Sequence, residues 1–142
     1  MSGFLLNTNV ISELVKPRPE TNVTAWIEGT DESLLYLSVL SLGEIRREIS
    51  VLPQSRRRAT LEAWLDKDLR ARFEGRILDI DQEVADRWGL LTAAARNSGI
   101  LLPVIDGLLA ATALEHNLTL VTRDTGQIPS MGIPILNPWQ EN

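Results

Sequence analysis

A chain of 142 residues, 44% hydrophobic and 23% charged, is most simply one domain spanning 1–142, long enough to build a core. It has no cysteine, which excludes disulfides, thiolate catalysis, zinc–thiolate sites and iron–sulfur clusters. A net charge of −5 argues against a protein that coats nucleic acid. No apolar run approaches the roughly 18 residues of a membrane span, and no signal-peptide pattern opens the chain. The expectation is a cytoplasmic protein that does not touch a membrane.

Short apolar runs alternate with helical stripes along the whole chain. Phe4–Leu6 reads as a first strand, followed by a helix through Val10, Ile11 and Leu14 that stops at Lys16-Pro17-Arg18-Pro19. Val23, Trp26 and Ile27 mark a second helix, closed by Gly29. Leu34–Leu37 has the length of a strand, and Leu42, Ile45, Ile49 and Leu52 then recur at helical spacing up to Pro53. Leu61, Trp64, Leu65, Leu69 and Phe73 repeat that pattern until Gly75. Ile77–Ile80 is a third strand candidate, and Val84, Trp88, Leu91 and Ala95 form the next stripe, ending near Gly99. From Gly107 to His116 the chain is apolar almost all round, which predicts a buried helix. Leu118–Thr122 is the strongest strand, and Ile133–Leu136 a last one, placed at a sheet edge by Pro134. This alternation predicts an α/β fold with a central, mostly parallel sheet between helical layers.

In such sheets ligands bind beyond the carboxyl ends of the strands. Four polar residues stand in those places. Asn7 follows the first strand, Glu44 lies in the first turns of the helix after the second, Asp106 opens the buried helix, and Asp124 follows the strongest strand. Each also has a local structural role open to it. Ser41-Leu42-Gly43-Glu44 reads as a capping box, Asp106 as an N-cap, Asp124 as a turn residue, and Asn7 as a helix cap. Glu44 is off the apolar stripe of its own helix, however, which leaves it free to point toward the crevice rather than the core. Carboxylates crowded together repel one another unless a cation neutralises them, and oxygen ligands favour Mg²⁺ or Mn²⁺. Such an ion activates water and neutralises a phosphodiester.

Other chemistries find less support. His116 is the only histidine and sits at a helix end, so a Ser–His–Asp triad has little to build on. Neither phosphate-binding glycine motif is present. Trp26, Trp64 and Trp88 fall on apolar stripes and read as core, and Trp139 as a pin for the C-terminal segment. Most of the 14 basic residues fall between Arg46 and Arg76, either as a solvated helical face or as a basic wall beside an acidic site. A phosphoacceptor receiver would need an aspartate after the third strand, for which Asp79 or Asp81 would serve. It would also need a lysine late in the chain, and none follows Lys67.

The stretches Phe-Leu-Leu-Asn7-Thr-Asn-Val-Ile-Ser-Glu-Leu, Leu-Ser-Val-Leu-Ser-Leu-Gly-Glu44, Asp106-Gly-Leu-Leu-Ala-Ala-Thr-Ala, Leu-Val-Thr-Arg-Asp124-Thr and Asn-Pro-Trp together resemble a PIN-domain protein. The likeness is to toxins of the VapC/FitB type, and it covers essentially the whole chain. It implies a Mg²⁺- or Mn²⁺-dependent endoribonuclease, with transfer RNA a common target. It also implies a homodimer, silenced by a small VapB/FitA-type antitoxin that lays a C-terminal segment across a groove and carries the complex to operator DNA. The family's four acidic residues correspond to Asn7, Glu44, Asp106 and Asp124, as catalytic and metal-binding positions. The departure is Asn7, where the family pattern has aspartate. An amide keeps the shape but loses the charge, so weaker metal binding and strongly reduced cleavage are expected. The alternative is a catalytically inactive PIN-like module that binds an antitoxin or RNA.

Overall fold

The computed structural model describes residues 3–124 and 132–140. Five short strands form one parallel sheet in the order β3-β2-β1-β4-β5. They are β1 (Phe4–Leu6), β2 (Leu35–Ser38), β3 (Ile77–Leu78), β4 (Thr119–Val121) and β5 (Ile135–Leu136). β1 is central: Leu5 aligns with Tyr36 of β2 on one side and with Leu120 of β4 on the other. As expected, Pro134 leads into an edge strand.

The helices are α1 (Thr8–Glu13), α2 (Thr21–Glu28), α3 (Val39–Ser50), α4 (Arg56–Ala63), α5 (Arg70–Arg72), α6 (Gln82–Asn97) and α7 (Val104–Glu115). A π-helical stretch, Trp64–Leu69, joins α4 to α5. Successive strand residues face opposite sides of a sheet, and the core divides accordingly. Leu6, Leu35, Leu37 and Val121 pack with Val10, Ile45, Leu65 and Phe73 from α1, α3 and the chain around α5. Leu5 and Leu120 pack with Leu91, Ala95, Leu109 and Ala113 from α6 and α7 on the other face. Both faces of the sheet are thus covered, as the alternating pattern requires.

Several boundaries differ from the sequence expectation. β3 has only the two residues that pair with Leu37 and Ser38, so Asp79 and Ile80 lie beyond the ladder. α7 starts at Val104 rather than Gly107, because Pro103 takes the N-cap position and its carbonyl accepts from Gly107 N–H at 2.9 Å. Trp88 is half-buried and belongs to neither core cluster; it packs against α7, where a Cβ on Gly107 would come 3.0 Å from its Nε1. His116 is the C-cap of α7.

Much of the basic stretch is tied up in the fold. Arg76 donates to the carbonyls of Glu32, Leu35 and Arg72, and together with Arg72 it pairs with the Glu32 carboxylate. Arg46 pairs with Asp66. Arg58 donates to the Leu52 carbonyl. Arg46, Arg58, Arg72 and Arg76 are thus each held by an acidic group or a backbone carbonyl of the fold. Among the described residues, no helix is long and apolar enough to cross a membrane.

Candidate functional site

The strand order reverses between β1 and β4: from β1 the chain runs outward to β2 and β3, and β4 and β5 fill the other side. The carboxyl ends of the two strands at such a switch point leave a crevice open to ligand. Asn7 and Thr122 stand there, and Asn7 N–H continues the ladder to the Val121 carbonyl at 2.9 Å. A pocket of about 400 Å³ opens above them. Asn7, Glu44, Asp106 and Asp124 all line it, so four residues separated widely in sequence share one cavity.

Asn7 is the N-cap of α1 and is 8% exposed. Its Oδ1 accepts from Thr8 N–H at 2.7 Å, and its Nδ2 donates to Thr122 Oγ1 at 2.8 Å. These two bonds fix which end of the amide is which. The NH₂ is committed to Thr122, and the oxygen keeps one lone pair free.

Glu44 lies inside α3, not in a capping box. Ser38, the last residue of β2, is the cap of α3, accepting from Leu40 N–H at 3.1 Å. Ser41 is instead fully buried, with its hydroxyl 2.9 Å from Thr8 Oγ1. Thr8 in turn donates to Glu44 Oε1 at 2.5 Å, so a hydroxyl on α1 aims the carboxylate of α3. Arg47 lies 3.8 Å from the other oxygen of Glu44.

Asp106 is the third residue of α7 rather than its cap, which puts its carboxylate in the first turn, where the helix dipole favours negative charge. Asp124 accepts from Asn9 Nδ2 at 3.3 Å, and its own N–H donates to Thr122 Oγ1 at 3.1 Å. Thr8, Asn9 and Thr122 are residues that sequence reasoning did not place at the site, and Ser41 it read only as part of a capping box. The signal for Thr8, Asn9 and Thr122 was small polar side chains just beyond strand ends.

Burial, and then the charges of Asp124 and Glu44, push the Asp106 carboxyl above its ordinary range. Asp106 therefore senses both other carboxylates across the cavity. Even so, among the described residues no three Asp, Glu, His or Cys side chains form a ready-made cage for one ion. The oxygen set suits a cation that keeps part of its water shell and takes only one or two carboxylates directly. Asn9 Oδ1 adds an acceptor that is buried and has no partner among the described residues.

Behind the site, Glu13 is a buried carboxylate. Burial would raise its pKa, but the bond from Lys16 (2.9 Å), the Glu20 N–H (2.9 Å) and the charges of Lys16 and Arg123 outweigh this and hold it below its usual range.

The PIN-domain profile matches residues 4–130. The chain belongs to the PIN-domain family. Toxin FitB of Neisseria gonorrhoeae is 35% identical over 97% of this PIN protein and 99% of its own length. The VapC ribonuclease Y4jK of Sinorhizobium fredii is 36% identical over 96% of this chain and 98% of its own. The solved structure of FitAB bound to an IR36 DNA fragment contains a chain that superposes on this one with a TM-score of 0.93 at 33% identity, over 98% of this chain and 97% of that one. Within the PIN family, the protein is of the VapC/FitB type.

Proposed function

We propose that this PIN protein is the toxin of a type II toxin–antitoxin pair, a metal-dependent endoribonuclease by descent, whose cleavage is held low by Asn7. The observation that carries this reading is the convergence of Glu44, Asp106, Asp124 and Asn7 on one pocket at the β1/β4 switch point. Mg²⁺ or Mn²⁺ would be held there by Glu44, Asp106 and Asp124, in a pocket that Asn7 and Asn9 also line. When bound, such an ion supplies an activated water and neutralises charge on the scissile phosphodiester.

The chain's own residues do the rest. Thr8 holds Glu44 and Asn9 holds Asp124, which keeps both carboxylates in place. Asp106, whose charged form is disfavoured by burial and then by its two acidic neighbours, would be relieved by an incoming cation. Asn7 cannot accept a proton, and its NH₂ is spent on Thr122. It leaves the pocket one negative charge short of a four-carboxylate site.

The relatives named as toxins and ribonucleases, and the FitAB complex on DNA, support an antitoxin partner, operator DNA binding as a complex, RNA as substrate and a cytoplasmic setting. A homodimer belongs to the same reading. An apolar groove of about 850 Å³, lined by Leu14, Leu61 and Trp64 and flanked by Lys16, Arg56 and Arg57, suits the C-terminal segment of an antitoxin. Asn7 itself favours a second reading, an inactive PIN module that keeps only antitoxin or RNA binding.

Induced expression in bacteria lacking the antitoxin separates the two readings. The Asn7→Asp variant should arrest growth and degrade cellular RNA, while the parent leaves both nearly intact. Normal growth and intact RNA with a folded, soluble Asn7→Asp protein would overturn the enzyme reading.

A further inference from the structure

The pocket that gathers the carboxylates also contains two cations, Lys16 and Arg123. Lys16 is paired with Glu13 at 2.9 Å. Arg123 is exposed, and among the described residues no carboxylate pairs with it, although Asp124 is its chain neighbour. Its guanidinium lies instead over the ring of Trp139, with Cζ 4.5 Å from the ring centroid.

That platform is built into the fold. Trp139 N–H donates to Asn137 Oδ1 at 2.9 Å, its carbonyl accepts from Asn22 Nδ2 at 3.1 Å, and its ring packs on the core of the α1 face. Stacking restrains the arginine before any ligand arrives. An RNA strand entering this pocket meets Glu44, Asp106, Asp124 and Glu48, all of its own sign. Beside Asp124, a restrained guanidinium that makes no ion pair among the described residues, although Glu13 feels its charge, is the group on this wall that matches a phosphate in charge and in fork geometry.

We propose that Arg123, held on Trp139, is a phosphate-binding residue that seats the RNA backbone beside Asp124. This rests on the ribonuclease reading. It assigns a substrate contact to a residue outside the acidic set, and it places Trp139 as the support for that contact rather than as a pin for the C-terminal segment alone.

The test is fluorescence anisotropy with a short, labelled single-stranded RNA and the full chain in EDTA, where no cleavage interferes, from 50 to 200 mM salt. Circular dichroism confirms that each variant is folded; Arg123 is exposed, so its truncation leaves the core untouched. Arg123→Ala should weaken binding about tenfold and flatten the slope of log affinity against log salt by about 0.7, the value of one phosphate contact on a single strand. Arg123→Lys should keep the parent slope but lose part of the affinity, because an ammonium lacks the fork and the stack. Arg87→Ala, which removes an exposed arginine paired with Glu115 on α7, should match the parent. If the parent binds RNA and Arg123→Ala binds with the same affinity and slope, the assignment of Arg123 is wrong while the ribonuclease reading stands. If the parent binds no RNA even at the lowest salt, the assignment of Arg123 falls, while the ribonuclease reading is decided separately by cleavage with the Asn7→Asp variant and metal.

Discussion

Replacing Asn7 by aspartate changes charge with little change of shape, and the structure fixes what should follow. One carboxylate oxygen keeps the bond from Thr8 N–H. The other takes the place of the NH₂ opposite Thr122, whose hydroxyl must turn to donate to it; Asp124 N–H still finds the same oxygen. No hydrogen bond need be lost. The new charge, however, joins Glu44, Asp106 and Asp124 around a cavity of about 400 Å³, where Asp106 is already pushed up by its neighbours. Two like charges 4 Å apart cost about 4 kcal/mol at an effective dielectric of 20, and proportionally less when farther apart. Across this pocket a net cost of about 1–2 kcal/mol is reasonable, which lowers Tm by roughly 3–6 °C for a chain of this size. A divalent cation reverses the sign. If the added carboxylate tightens metal binding about 30-fold, saturating metal stabilises the variant by about 2 kcal/mol more than the parent. The two melting curves should therefore cross: the Asn7→Asp variant melts below the parent in EDTA, and level with it or above it in millimolar Mn²⁺. Scanning calorimetry on both proteins in both buffers reads this directly. A folded variant with no larger metal-induced shift than the parent would refute the placement of a cation beside Asn7.

Three further outcomes follow from the supporting contacts. Thr8→Val leaves the buried Ser41 hydroxyl and Glu44 without their shared partner, so chemical denaturation should show a loss of about 1–3 kcal/mol. Gly3→Ala would place a Cβ 2.4 Å from the Leu34 carbonyl, and a loss of about 1–3 kcal/mol is expected by the same measurement. Glu13 has a depressed pKa, so its contribution is present above the unfolded value of about 4.5 and is lost as pH falls through the lower folded value. The stability gap between the parent and Glu13→Gln should therefore be full at neutral pH and close below pH 4.5; a gap independent of pH would contradict the pairing with Lys16.

The order and type of the main elements were legible because each strand and helix carries its own period. Phe4–Leu6 and the stripe Leu42, Ile45, Ile49 identify themselves locally. The site was legible through one topological rule, that ligands sit at strand ends, which picked out Asn7, Glu44, Asp106 and Asp124 without a metal-binding motif. Local chemistry misled where two residues could do the same job. Ser38 and Ser41 can both cap α3, and pairing of β2 with its neighbours decides for Ser38 by fixing where the strand stops. Asp106 looks like a cap until Pro103 is seen to start α7 earlier. The fate of the basic stretch was hidden because its partners are remote: Glu32 receives Arg72 and Arg76 from the far side of β2 and α3. The Arg123–Trp139 stack was hidden for the same reason, since it closes the chain's end onto the strand end at β4.

The most direct test of the central claim is RNA cleavage in vitro by the antitoxin-free parent, the Asn7→Asp variant, and Asn7→Asp combined with Asp106→Asn. Total bacterial RNA is the substrate, with Mn²⁺, Mg²⁺ or EDTA. The expected result is cutting by Asn7→Asp with either metal, none in EDTA, and a rate lower by about three to five powers of ten in the other two proteins. Cutting that persists in EDTA, or folded Asn7→Asp protein that leaves every RNA intact, would contradict a metal-dependent ribonuclease site at the β1/β4 switch point.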